Sequence, residues 1–192
     1  MSNDLELVIM AGSAGAFKPI LDMVRSLPSN FSLPILIVLH RRRVVQQSID
    51  TWLSEKSNIP IIEISDKEDI KPGIAYLCPP DYHVLIEKEK IFSLDKSELI
   101  LYSRPSIDVA LESAAQIFKN KVLAILLSGA NRDGADGLLA IKEARGTTIV
   151  QDPKEAEFRA MPEAALALNA ANLVLKLKEI KEYLLILNKP SH

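Results

Sequence analysis

Three side chains of the types that make up a hydrolytic triad stand where apolar runs break into loops. Leu5, Leu7, Val8, Ile9 and Met10 lead into Ala11-Gly12-Ser13-Ala14-Gly15-Ala16. Ile35-Leu36-Ile37-Val38-Leu39 ends in His40, and Val122-Leu123-Ala124-Ile125-Leu126-Leu127 ends in a polar loop containing Asp133. A short apolar run closed by small residues and followed by a helical pattern reads as strand–turn–helix. At such a turn a serine hydroxyl projects above the sheet edge, beside the first free N–H groups of the helix. In an open parallel sheet the carboxyl ends of the strands form one functional edge. Ser13, His40 and Asp133 are therefore offered to one rim, as nucleophile, general base and orienting acid.

Each residue also has a plainer reading. A serine in a Gly/Ala turn is commonly a cap, and Gly12-Ser13-Ala14-Gly15 is not the Gly-x-Ser-x-Gly elbow of α/β-hydrolases. His40 suits a general base, since an imidazole has an unperturbed pKa of about 6.5, but a buried structural histidine is the alternative. His83, in Asp81-Tyr82-His83-Val84, reads as structural, and His192 is the last residue. Ser128-Gly129-Ala130-Asn131-Arg132-Asp133-Gly134-Ala135-Asp136-Gly137 can be a loop whose aspartates cap a helix, or it can hold the acid that orients His40. The Gly-containing turns could instead cradle phosphate, although neither the Walker pattern nor Gly-x-Gly-x-x-Gly is present.

The elements that must position these residues alternate strand and helix. Phe17, Ile20, Leu21, Val24 and Leu27 fall at helical spacing, and Pro28 marks the exit. Strand 35–39 follows, then a helix marked by Ile49, Trp52 and Leu53, and a strand from Ile59 to Ile64. The stretch from Ile70 to Leu101 reads as an antiparallel insertion, with a strand at Ile74–Leu77 and a hairpin from Val84-Leu85-Ile86 and Lys90–Leu94. Ser106 can cap a helix with Asp108 in its first turn. Strand 122–127, a helix through Leu138 and Ile141, strand Thr147–Val150, helix 162–169, strand Leu173–Leu175 and a closing helix Ile180–Leu187 complete the rhythm. The expectation is a doubly wound, mainly parallel α/β sheet with helices on both faces and a small antiparallel hairpin insertion.

Composition bounds the rest. The 192 residues are 48% hydrophobic and 25% charged with a net charge of −2, which suits one α/β domain over residues 1–192 and gives no general attraction to nucleic acid or membrane. One cysteine, Cys78, excludes an intrachain disulfide and a Cys-based zinc cluster. Asp4 and Glu6 precede the first apolar run, where a signal peptide carries Lys or Arg, so a cytoplasmic location is expected.

The chain resembles, along nearly its full length, the catalytic domain of the CheB-type protein-glutamate methylesterases of bacterial chemotaxis. The segments that carry the likeness are Gly12-Ser13-Ala14-Gly15, Leu33–His40, Lys71-Pro72-Gly73-Ile74-Ala75-Tyr76 and Pro79-Pro80-Asp81-Tyr82-His83. Ser103-Arg104-Pro105-Ser106-Ile107-Asp108-Val109, Ile125–Gly129, Asp133–Gly137, Gln151-Asp152-Pro153 and Met161–Ala165 continue it. The resemblance implies Ser13 as nucleophile, His40 as base and Asp133 as orienting acid, with no metal or organic cofactor. It implies hydrolysis of glutamate methyl esters and deamidation of glutamines on a methylated chemoreceptor. The family's amino-terminal receiver domain is not in this sequence, so either the domain stands alone or a receiver-domain regulator lies on another chain or a missing segment. Departures surround the triad: Ala14 stands where the family has Thr, and Ala16 where it has Gly. Arg41-Arg42-Arg43 replace Met-Pro and the residues after it, and Ala130-Asn131 replace Met-Gly. A catalytically idle domain that binds receptors or another signalling protein is the alternative these changes favour. The arginine run reads either as a solvated turn or as a rim that steers an anionic partner.

Overall fold

A strand buried on both faces needs an apolar residue at every position, and the first two strands have them: β1 (Leu7–Gly12) and β2 (Ile35–Leu39) are buried throughout. The computed structural model describes residues 4–40 and 57–187. The helix expected around Ile49, Trp52 and Leu53, and the Arg41–Arg43 run, lie outside the described residues.

Nine strands are described. β3 (Ile61–Glu63), β4 (Ala75–Leu77), β7 (Val122–Leu126), β8 (Thr147–Gln151) and β9 (Leu173–Leu175) join β1 and β2 in a seven-stranded sheet of order β3-β4-β2-β1-β7-β8-β9. Every pairing in it is parallel. β5 (His83–Ile86) and β6 (Phe92–Asp95) form a separate antiparallel pair.

The alternation of side chains along each strand sorts the core into two layers. Leu7, Ile9 and Ala11 of β1 face the layer built by α2 (Ile107–Phe118), α3 (Ala135–Glu143) and α4 (Ala160–Ala167). Val8 and Met10 face the layer built by α1 (Phe17–Ser26) and α5 (Leu177–Leu187). The doubly wound architecture expected from the alternating pattern is the one observed.

The insertion differs from expectation. The apolar stretch at Ile74–Leu77 is not part of an antiparallel unit: β4 lies in the parallel sheet between β2 and β3, with Ala75 in register with Ile35 on one side and Ile61 on the other. Three apolar residues bury equally well in either direction, so only the partner strands fix the orientation. The hairpin does form from the expected residues. It packs on α2, where Ile86 N–H donates to Ser113 Oγ at 3.1 Å.

The chain turns to one side of β1 to lay down β2 and to the other to lay down β7. The carboxyl ends of β1 and its neighbours are thus a topological switch point, where open α/β sheets place their sites.

Candidate active site

Gly12 of β1 is in register with Leu39 of β2, so Ser13 and His40 are each the first residue beyond aligned strand ends. Parallel neighbours are about 4.8 Å apart. The His40 N–H points back to Gly12 O at 3.4 Å, and Ser13 N–H donates to Ser128 O at 2.9 Å. The turn is closed by Ala16 N–H donating to Ser13 O at 3.1 Å. Gly15 has φ +79°, and a Cβ there would meet Ser128 Oγ at 2.7 Å, so no larger residue fits. Ser13 is partly exposed, and its hydroxyl has no hydrogen-bond partner among the described residues.

The His40 ring is held on both sides. Nε2 lies 2.7 Å from Asp133 Oδ2, and Nδ1 lies 3.3 Å from Ser103 Oγ. Asp133 is fully buried, which would be costly for a carboxylate without donors. It has them: Oδ2 also accepts from Ile107 N–H at 2.7 Å, and Oδ1 accepts from Ser106 Oγ at 3.0 Å and Asp108 N–H at 3.1 Å. Burial pushes the Asp133 carboxyl up, but the bonds from His40, Ile107 and Asp108 prevail and hold it below the usual carboxylate range. An ionised carboxylate only accepts, so we assign the ring proton to Nε2 and the lone pair to Nδ1.

Two further groups shape this arrangement. Asp108, expected to serve the first turn of its own helix, is turned inward. Its Oδ1 accepts from Gly134 and Gly137 N–H, each at 2.8 Å, and so caps α3. Burial, with the neighbouring Asp133 charge adding to it, pushes the Asp108 carboxyl up to about 7 against the pull of the Gly137 N–H. His83 is structural, as its sequence context suggested: its Nδ1 accepts from Ser106 N–H at 3.0 Å and its Nε2 lies 2.9 Å from Glu98 O.

Of the three residues nominated from sequence, His40 and Asp133 are in direct contact, and Ser13 stands at the adjacent strand end without a hydrogen bond to the ring. Ser103 was missed. It belongs to a stretch that carries family likeness, but nothing local marks it for His40, which lies 63 positions away. In the loop 129–131 the Gly129 N–H is committed to Phe158 O at 3.0 Å. The N–H groups of Ala14, Gly15, Ala130 and Asn131 have no acceptor among the described residues. No group of three His, Cys, Asp or Glu among the described residues is placed to hold a metal ion.

In sequence and in fold the chain is similar to known proteins. The protein-glutamate methylesterase/protein-glutamine glutaminase of Thermotoga maritima is 32% identical over 183 residues, which are 94% of this chain and 53% of that protein. A Leptospira interrogans protein, which carries the same pair of activities in its name as a provisional assignment, is 40% identical over 187 residues. There the match spans 96% of this chain and 95% of the relative. The crystal structure of the Thermotoga maritima CheB methylesterase catalytic domain superposes with a TM-score of 0.88 at 32% identity, over 95% of this chain and 98% of that one. The family described as CheB methylesterase matches residues 8–184, from within β1 into the last helix. On fold, on identity and on the extent of the match, the chain is a member of the CheB methylesterase family.

Proposed function

We propose that this chain is a protein-glutamate methylesterase that removes methyl groups from glutamate methyl esters of chemoreceptors, and deamidates receptor glutamines. Ser13 is its nucleophile, His40 its base and Asp133 its orienting acid. The observation that carries the reading is the 2.7 Å contact between His40 Nε2 and the buried Asp133, at the strand edge that also presents Ser13.

In this mechanism Nδ1 of His40 takes the Ser13 proton as Oγ attacks the ester carbonyl carbon. The proton on Nδ1 then passes to the methoxy oxygen, methanol leaves, and a glutamyl ester of Ser13 remains. Water attacks that ester, again losing one proton to Nδ1, which returns it to Ser13 Oγ as the glutamic acid group departs and gives its remaining proton to solvent as a carboxylate. With glutamine the leaving group is ammonia. Asp133 stabilises the imidazolium formed in each half. Unengaged N–H groups of Ala14 and Gly15, and of Ala130 and Asn131, suit the developing oxyanion, an effect worth about 3–4 kcal/mol per donor in serine hydrolases.

A methylated chemoreceptor is the partner, and a receiver-domain protein or segment outside this sequence is the regulator. The single buried thiol of Cys78 suits a reducing cytoplasm.

Methanol release from methylated receptor tests the reading. Wild type releases it, and Ser13→Ala loses about 10³-fold or more in kcat, as nucleophile removal does in serine hydrolases. A Ser13→Ala variant as active as wild type would end the assignment. A wild type that binds receptor without releasing methanol would favour the idle binding domain.

A further inference from the structure

We propose that Ser103 is a positioning residue for His40, holding the imidazole by the nitrogen that Asp133 does not reach. The inference rests on the proposed methylesterase reading for its kinetic consequence, while its structural content stands apart from it.

One short segment grips both ends of the His40–Asp133 pair. Ser103 Oγ lies 3.3 Å from His40 Nδ1. Three residues on, the Ser106 hydroxyl, Ile107 N–H and Asp108 N–H all donate to the Asp133 carboxylate, at 3.0, 2.7 and 3.1 Å. The segment is itself anchored. Ile100 and Ser103 exchange backbone hydrogen bonds of 3.2 and 2.8 Å, Arg104 O accepts from Asp81 N–H at 3.3 Å, and Ser106 N–H donates to His83 Nδ1 at 3.0 Å. The distance between the Ser103 hydroxyl and the Asp133 donors is therefore fixed by the backbone, and the imidazole is clamped between them.

The chemistry of the ring makes this matter. With the proton on Nε2, the Nδ1 lone pair is the base, and the Ser103 O–H donates to it. Without Ser103 the ring keeps, among the described residues, one hydrogen bond, at Nε2, and can swing about it, carrying the base away from Ser13. A contact of 3.3 Å is long for O–H···N, so it orients the ring at rest and yields when Ser13 takes its place on Nδ1. Ser103 is poorly placed to be the nucleophile itself. Its own N–H is committed to Ile100 O and Pro105 has none, whereas Ser13 is followed by the unengaged N–H groups of Ala14 and Gly15.

The test compares wild type with Ser103→Ala and Ser103→Thr in three measurements. The first is kcat and KM on methylated receptor. The second is the site of a fluorophosphonate adduct by mass spectrometry. The third is the His40 Nδ1 nitrogen resonance in the substrate-free protein. Loss of one neutral hydrogen bond predicts that Ser103→Ala lowers kcat about three- to tenfold with KM and Tm unchanged, and that Thr restores it. The Nδ1 resonance moves in the Ala variant and returns in the Thr variant, and the adduct sits on Ser13 throughout. An adduct on Ser103 overturns the proposal, as does an Ala variant with unchanged Nδ1 resonance. If wild type releases no methanol yet the resonance moves as expected, the methylesterase reading has failed and the hold of Ser103 on His40 stands.

Discussion

At the scale of single residues the site contains two carboxylates driven in opposite directions by their partners. Asp133 is buried but accepts from three protein donors besides His40, and stays ionised. Asp108 is buried beside it and is pushed up to about 7. The sign of the consequence for folding follows from proton counts. Between the ordinary aspartate range and pH 7, folded Asp108 binds more protons than the unfolded chain, so its contribution to stability falls as pH rises. Asp108→Asn keeps an oxygen for the Gly134 and Gly137 N–H groups and removes the charge. The variant should gain about 2–3 kcal/mol on wild type between pH 5 and 8, measured by urea unfolding. A pH limb present in the rate profile of wild type and absent from that of Asp108→Asn would assign that limb to Asp108. Residue types alone nominated Ser13, His40 and Asp133, because nucleophile, base and acid are recognisable kinds standing at recognisable strand ends. Ser103 and the inward turn of Asp108 were not legible, because each acquires its role from a group brought near only by folding.

At the scale of elements, the site depends on how tightly α2, α3 and the Asp133 loop meet. Gly134 lies in this junction with φ +95°, and a Cβ there would stand 2.7 Å from Ile107 Cγ2 and 2.8 Å from Leu126 Cδ1. Gly134→Ala therefore combines a left-handed backbone that alanine disfavours with an overlap against two buried side chains. It should cost about 2–4 kcal/mol of stability by denaturant titration. Since Gly134 follows Asp133, what remains folded should also lose kcat; a variant of native stability would show that the loop yields without strain. Most elements could be read from sequence for a physical reason. Strands such as 35–39 are apolar at every position, and helices such as Phe17–Ser26 show apolar residues three and four apart. The misreading of β4 has the same root: a three-residue apolar strand between turns looks alike whether its neighbours run with it or against it. Its place beside β2 is decided by the sheet, not by its own residues.

At the scale of the whole molecule, a parallel sheet gives the protein two unlike ends. Ser13, His40 and the Asp133 loop gather where the strands finish. Glu6 stands where β1 begins, bridging Lys121, just before β7, at 2.5 Å and also pairing with Lys90 near the hairpin. Hydrogen bonds from Lys121 and then Lys90 hold the Glu6 carboxyl below its ordinary range. Its contribution to stability is therefore present above the unfolded carboxylate range and fades as pH falls through the lowered value. All three side chains are partly exposed, at 30%, 50% and 43% for Glu6, Lys90 and Lys121, so solvent screens the pairs and the contribution is modest. Glu6→Gln should lower stability at pH 7 by up to about 1 kcal/mol, with a smaller effect in high salt. Its kcat and KM on methylated receptor should match wild type, because the substitution lies at the end of the sheet that touches no reacting group. A Glu6→Gln variant of unchanged stability but reduced kcat would show that the two ends are coupled through β1, and that the division of labour between them is wrong.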